Sequence, residues 1–175
     1  MDRADAHLAE LLTEGEGPAL RFVRSIPQPR ERVWRALHDS DDLRHWFPAD
    51  IVGELSEGAA VSLPFWPDTV EKYAMTPEEA TLGGQVLRWA PPELFEWTWD
   101  TDTLRFELAE TVHGTTLTFT TWLADAERAS LVGTAAGYHA CLDLLVELLE
   151  TGPSGSTALV DTDPLERRYA AHLAR

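Results

Sequence analysis

The chain of 175 residues holds one cysteine, Cys141, one lysine, Lys72, and two methionines. A lone cysteine excludes an intrachain disulfide and a cysteine-built zinc site, and it reads as a small apolar packing residue. Bases are scarce: fourteen stand against thirty acids, for a formal net charge of -16. Binding a phosphate backbone or an anionic lipid surface relies on neutralisation by Lys and Arg, so neither nucleic acid nor membrane is an expected partner. No run reaches the ~18 consecutive apolar residues of a membrane span. Met1–Asp5 lacks the basic-then-apolar pattern of a secretion signal, so the expected compartment is the cytoplasm. The excess of arginine over lysine reads as the codon bias of a GC-rich genome.

What is present is an ordinary globular balance, 44% hydrophobic and 25% charged, on a length that suits one domain. The organisation reads as a polar lead-in over 1–18, a main domain over 19–151, and a linker with a short helix over 152–175. Leu8, Leu11 and Leu12 have helical spacing within the lead-in. Leu20, Phe22 and Ile26 alternate as a strand, with Arg24 an exception on the apolar face. Val33, Trp34 and Leu37 predict a helix entered at Pro29, and Asp39–Asp42 offers caps for a second short one running to Trp46 and Phe47. From 50 to about 123 the period changes to two, giving about six strands in an antiparallel meander. Phe95, Trp97 and Trp99 share one face; Leu104, Phe106 and Leu108 alternate with Arg105 and Glu107. The prolines of 64–82 argue against a regular central strand there. Residues 127–150 carry the longest helical stripe, through Leu131, Ala135, Tyr138, Leu142, Leu145 and Leu149, stopped by Gly152-Pro153. Asp163-Pro164 opens a last helix with Leu165, Tyr169, His172 and Leu173 on one face.

One long apolar helix must bury its stripe against one apolar sheet face. The order predicts an α+β fold: a curved antiparallel sheet wrapped around a long C-terminal helix, with two short helices after the first strand. Space between such layers is where small ligands sit.

Five landmarks in order then carry a resemblance. They are Val33-Trp34-Arg35-Ala36-Leu37 with Leu43-Arg44-His45-Trp46-Phe47, Gly84-Gln85-Val86-Leu87, the stretch Pro91–Trp99, Gly114-Thr115-Thr116-Leu117-Thr118, and Gly137–Asp143 with Tyr138 where a tryptophan is usual. Over roughly 20–150 the chain resembles the bacterial branch of the activator of heat-shock protein 90 ATPase homologue family, within the SRPBCC or START/Bet v 1-like superfamily. The resemblance implies a helix-grip domain with an internal cavity; it does not by itself imply an activity. The segment 64–82 fits it poorly.

No catalytic or metal motif emerges. His7, His38, His45, His113, His139 and His172 form no His-Glu-x-x-His pattern, and His38 with His45 reads as a solvated surface pair. Gly152–Ser156 is a linker rather than a nucleophile elbow, and Lys72 lies far from any phosphate-binding glycine loop. No metal and no cofactor is expected. The expected ligand-binding wall is Trp46, Phe65, Trp89, Phe95, Trp97, Trp99, Phe106 and Phe119, facing Ala135, Tyr138, His139 and Leu142 of the last helix. Sequence alone leaves open whether that aromatic face is a cavity wall or packed core.

The leading expectation is binding of a small apolar or aromatic molecule. A cyclase- or hydrolase-type enzyme is the alternative, with His139 and Tyr138 as catalytic candidates; it requires the two to converge in an enclosed site. A protein-interaction or co-chaperone role is a third. A chaperone partner is not expected, because the additional N-terminal domain typical of eukaryotic activators has no counterpart in residues 1–18. Superfamily members commonly self-associate, so a homodimer stays open.

Overall fold

A computed structural model describes residues 7–13, 15, 17–124 and 127–174. The reading of Met1–Asp5 falls outside them. Seven strands form one antiparallel sheet: β1 (Glu10–Leu12), β2 (Ala19–Ile26), β3 (Ala60–Pro64), β4 (Thr81–Ala90), β5 (Leu94–Trp99), β6 (Asp102–Thr111) and β7 (Gly114–Trp122). Their spatial order is β1-β2-β7-β6-β5-β4-β3. The helices α1 (Arg30–Ala36) and α2 (Ser40–Leu43) follow β2. The others are α3 (Pro67–Lys72), the long α4 (Arg128–Thr151) and α5 (Asp163–His172). The curved sheet and its gripped C-terminal helix are the expected α+β architecture.

Period-two patterning explains the register. Trp97 pairs with Leu104, which pairs with Thr121, which pairs with Leu20. Phe95, Phe106, Phe119 and Phe22 form the next row along the same face. All are buried. Consecutive inward residues are two apart, so each strand delivers alternate side chains to the helix. α4 answers with Leu131, Ala135, Leu142, Leu145 and Leu149, each buried.

Three expectations change. The helix expected around Leu8–Leu12 is instead the edge strand β1, paired antiparallel to β2; three residues are too few to sustain a helix without tertiary support, whereas β2 offers an open ladder. The Ile51-Val52 run makes only single bridges, Ala49 to Phe65 and Val52 to Ser62, so five strands rather than six follow α2. The unread segment 64–82 contains α3, with Pro67 at its first turn, where a missing N–H costs nothing. α4 contains a stretch, Ser130–Thr151, long and apolar enough to cross a membrane by composition, and half of that stretch is buried within the fold. That burial accounts for its apolarity.

Two polar devices hold α1 and α2 in place. Asp42 accepts from Arg32 Nη1 at 2.9 Å and Nη2 at 3.1 Å, and Arg35 Nε approaches at 3.3 Å. Trp46 Nε1 donates to the Ala36 carbonyl at 2.8 Å. The bidentate pair is the stronger of these because both its bonds are charge-assisted. At the β6–β7 hairpin, Gly114 has φ +142, and a Cβ there would meet the Ile26 carbonyl at 2.2 Å. Gly114→Ala is therefore expected to cost at least about 2 kcal/mol of unfolding free energy, by strain and clash together. Denaturant melts should show a lower midpoint; an unchanged midpoint would mean that the hairpin relaxes freely.

Candidate functional site

The aromatic face resolves into core. Phe106 stacks on Phe119 at 4.5 Å between centroids, and Phe95 on Trp97 at 5.9 Å. Trp46 stands edge-on to Phe106 at 6.1 Å. Phe47 is wedged between Trp97 at 5.5 Å and Trp99 at 5.2 Å. Trp89 packs with Trp34 and Phe95, each at 5.0 Å. The α1–α2 pair thus plugs one end of the groove. Trp46, Phe95, Trp97, Phe106, Phe119, Ala135 and Leu142 are all at most 2% exposed, and none borders the cleft that remains.

That cleft has a volume of about 280 Å³. Phe47 and Pro48 floor it, and Trp99 and Asp102 border it from the β5–β6 turn. Thr69 and Lys72 come from α3 and Tyr73 from the residue after it, and Thr134, Gly137, Tyr138, Ala140 and Cys141 come from α4. Thr157 and Thr162 of the linker complete the rim. Of the residues expected to bind a ligand, Trp99 and Tyr138 border it. Phe65 lies one ring behind, 5.4 Å from Trp99. Trp89 lies instead in the cluster with Trp34 and His38. A larger hollow of about 670 Å³ lies on the outer sheet face, but Glu93, Glu107 and Glu110 line it without an aromatic wall.

The cleft exists because one side of α4 carries small residues. Thr134, Gly137 and Cys141 recur at three and four, beside the leucine stripe. A Cβ built on Gly137 meets nothing within 4 Å. Tyr138 stands edge-on to Phe119 at 5.0 Å, its hydroxyl near Thr121 and Asp102. Burial pushes the Tyr138 phenol well above its ordinary range, and the Cys141 thiol to about 12. Both stay protonated at neutral pH, so neither supplies a ready nucleophile. The Thr69 hydroxyl is buried and has no hydrogen-bond partner among the described residues. Lys72 Nζ donates to the Val160 carbonyl at 3.2 Å and sits 5.4 Å from the Tyr73 ring centroid.

His139 is elsewhere. Neighbouring positions on a helix point about 100° apart, and while Tyr138 faces the sheet, His139 faces α5. Its Nδ1 lies 2.8 Å from the Tyr169 hydroxyl and its Nε2 3.3 Å from Asp143 Oδ2. The Ala9 N–H donates to the same Tyr169 oxygen at 2.9 Å. Arg24, the odd charge on β2, is 3% exposed and donates to the His7 carbonyl at 3.0 Å and to Asp143 at 3.4 Å. This network, buried except at the exposed Asp143 carboxylate, ties the N-terminal segment, β2, α4 and α5 together. His139 and Tyr138 therefore do not converge on one reacting centre. His38 also departs from expectation: it is half-buried against Trp34 and Trp89, and burial lowers its pKa. Arg105 pairs with Glu96 across β5 and β6, while Arg88 reaches Glu57 at 3.4 Å.

With the geometry in hand, the class is clear: a helix-grip domain with a residual cleft between helix and sheet. The family model described as Activator of Hsp90 ATPase homolog 1-like protein matches residues 27–150, and the chain belongs to that family. Among solved structures it is similar to the conserved protein of unknown function EF2215 from Enterococcus faecalis. The two are 24% identical, with a TM-score of 0.74, over 95% of this chain and 90% of that one. The protein encoded by BPP1335 from Bordetella parapertussis is 25% identical, with a TM-score of 0.69 over 94% and 91%. CalU16 from Micromonospora echinospora is 19% identical, with a TM-score of 0.66 over 96% and 94%. No curated protein matches the sequence.

Burial alone would raise the Asp143 pKa, but the hydrogen bond and charge of His139, with the charge of Arg24, outweigh it and hold the carboxyl below its ordinary value. A depressed folded-state pKa adds stability that is fully present above the unfolded value of about 3.9 and is lost as pH falls through the folded value. Asp143→Asn should therefore lower the urea midpoint at about pH 7, with the gap to the parent narrowing as pH falls below the unfolded value. A gap independent of pH would assign the loss to packing instead. Tyr169→Phe leaves the Ala9 N–H and His139 without their shared partner and should cost about 1–3 kcal/mol, read in the same melts.

Proposed function

We propose that this protein is a cytoplasmic, non-catalytic binder of a small apolar or aromatic molecule, held in the cleft between α4, α3 and the β5–β6 edge. The observation that carries this reading is the pairing of an aromatic floor, Phe47 and Trp99, with the small-residue side of α4 at Gly137 and Cys141. A well-filled core would place large side chains there, as it does one turn around the same helix. The volume, about 280 Å³, is near the lower end for small-molecule sites and suits a body of one or two rings. Apolar walls supply the driving force, roughly 25 cal/mol per Å² of apolar surface removed from water. Hydroxyls at the rim would fix orientation. The enzyme reading loses its main support because His139 and Tyr138 face different neighbours.

Native mass spectrometry of the freshly purified protein, compared with its denatured mass, is expected to show a co-purifying apolar molecule. The neutral fluorophore N-phenyl-1-naphthylamine is expected to bind saturably at one site per chain. Gly137→Leu directs a side chain into the space on α4 where a Cβ meets nothing within 4 Å, so it should weaken binding at least about tenfold while leaving the thermal midpoint within a few degrees. Unsaturable binding, or saturable binding that ignores Gly137→Leu, would defeat the cleft as the site.

A further inference from the structure

Among the described residues that border the cleft, the one cation is the chain's only lysine, Lys72. Seven arginines among the described residues pair with carboxylates: Arg21, Arg24, Arg30, Arg32, Arg35, Arg88 and Arg105. In a chain with thirty acids that is the default fate of a base. Lys72 departs from it, as does Arg44, whose guanidinium lies 5.4 Å from the Trp66 ring centroid. Lys72 Nζ meets a neutral carbonyl and an aromatic ring, and none of the ion pairs among the described residues includes it. An ammonium has three protons to donate, and Val160 takes one. One turn earlier on α3, Thr69 borders the same cleft, 2% exposed, with its hydroxyl unpartnered among the described residues.

An unpaired ammonium and an unsatisfied buried hydroxyl on the same wall, beside an aromatic floor, describe the complement of an amphipathic acid. Building on the cleft-binding reading above, we propose that the cleft takes small aromatic or alicyclic carboxylates. The apolar body lies against Phe47, Trp99 and Tyr138, and the acid head lies on Lys72; the Thr69 hydroxyl, sealed from solvent in this structure, adds a second donor when its side chain turns toward the cleft. A carboxylate brings a full negative charge to the Lys72 ammonium, whereas a neutral amide of the same body offers it only a carbonyl oxygen. The net charge of -16 repels an anion at long range, but over the ~8 Å Debye length of physiological salt the nearest charges decide. Asp102 at the sheet side of the cleft, with one oxygen accepting from the Ala124 N–H at 3.0 Å, disfavours an acid head at that end and so orients the ligand toward α3.

The test compares 2-naphthylacetic acid with 2-naphthylacetamide by titration calorimetry on the full chain at neutral pH. The two share a body and differ in head charge. The acid is expected to bind about fivefold more tightly, the scale of a partly exposed ion pair. Lys72→Met should abolish that preference and Lys72→Arg should keep it. Lys72 also holds Val160, so Lys72→Met can weaken both probes by loosening the linker; the acid-to-amide ratio isolates the charge. Thr69→Val should lower the ratio in part. An amide that binds as well as the acid, or a preference that survives Lys72→Met, overturns the carboxylate assignment and leaves the binding cleft standing. Failure of both probes to bind overturns the two together.

Discussion

The arrangement depends on how a 24-residue helix covers its apolar surface. The sheet can take only one stripe of α4, the one that runs through Leu131, Ala135, Leu142, Leu145 and Leu149. A second stripe, on the His139 side, needs another cover, and α5 with the N-terminal segment supplies it. Burying His139 there would strand two ring nitrogens in a low-dielectric site, which costs more than burial of apolar atoms returns unless both are bonded. Tyr169 and Asp143 bond them, and Tyr169 also serves the Ala9 N–H. Burial pushes the Tyr169 phenol up to about 12, so it stays a neutral donor and acceptor across the physiological range. One buried tyrosine thus joins chain segments 160 residues apart, and the tail is fixed to the fold by satisfied polar groups as much as by apolar area.

The third side of α4 has no such cover. Its residues are small, and three separate parts of the chain approach without filling the gap: the end of α2 at Phe47, the short helix α3, and the linker after Gly152. The linker is held across the opening by Ser156 on Asp68 at 2.5 Å and by Lys72 on Val160. Both bonds lie at the surface and are individually weak. The cleft is therefore bounded by a rigid aromatic floor and a rim held only by solvent-accessible hydrogen bonds, which is how a site can be shaped yet remain open to entry.

The period-two and period-four patterns made the sheet and α4 legible in the sequence, because each side chain there faces either one packed layer or water. The same logic exposed Arg24 as an anomaly; its pairing with the exposed carboxylate of Asp143 depends on a helix 119 residues away, which no local pattern reveals. The aromatic wall was legible as apolar but not as core, since a residue facing a cavity and one facing Phe47 obey the same alternation. The site itself was mostly not legible. Thr69, Lys72 and Tyr73 lie in a proline-interrupted segment with no clear period, and Thr157 and Thr162 in a linker. The small-residue recurrence Thr134, Gly137, Cys141 was the signal within reach: small side chains on one side of a helix whose other side is leucine-rich mark where packing stops.

The floor and the helical wall of the cleft belong to the packed fold, whereas its rim is built from α3 and the linker. The family match ends at residue 150, before the linker that rims the opening, and α3 interrupts the strands where the sequence fits the family pattern poorly. The sheet, α1, α2 and α4 must satisfy one another's packing, so their chemistry is set by the fold. α3 and the linker satisfy few such demands, and a change there alters the rim without unfolding the core. Lys72 shows the consequence. In the core an unpaired ammonium would be a liability of several kcal/mol, yet on α3 it is tolerated, partly solvated, at the one place where it meets whatever enters. For the proposed carboxylate site, selectivity would rest on Lys72 and the linker at the rim rather than on the aromatic core, because only the rim brings an unpaired charge to the cleft.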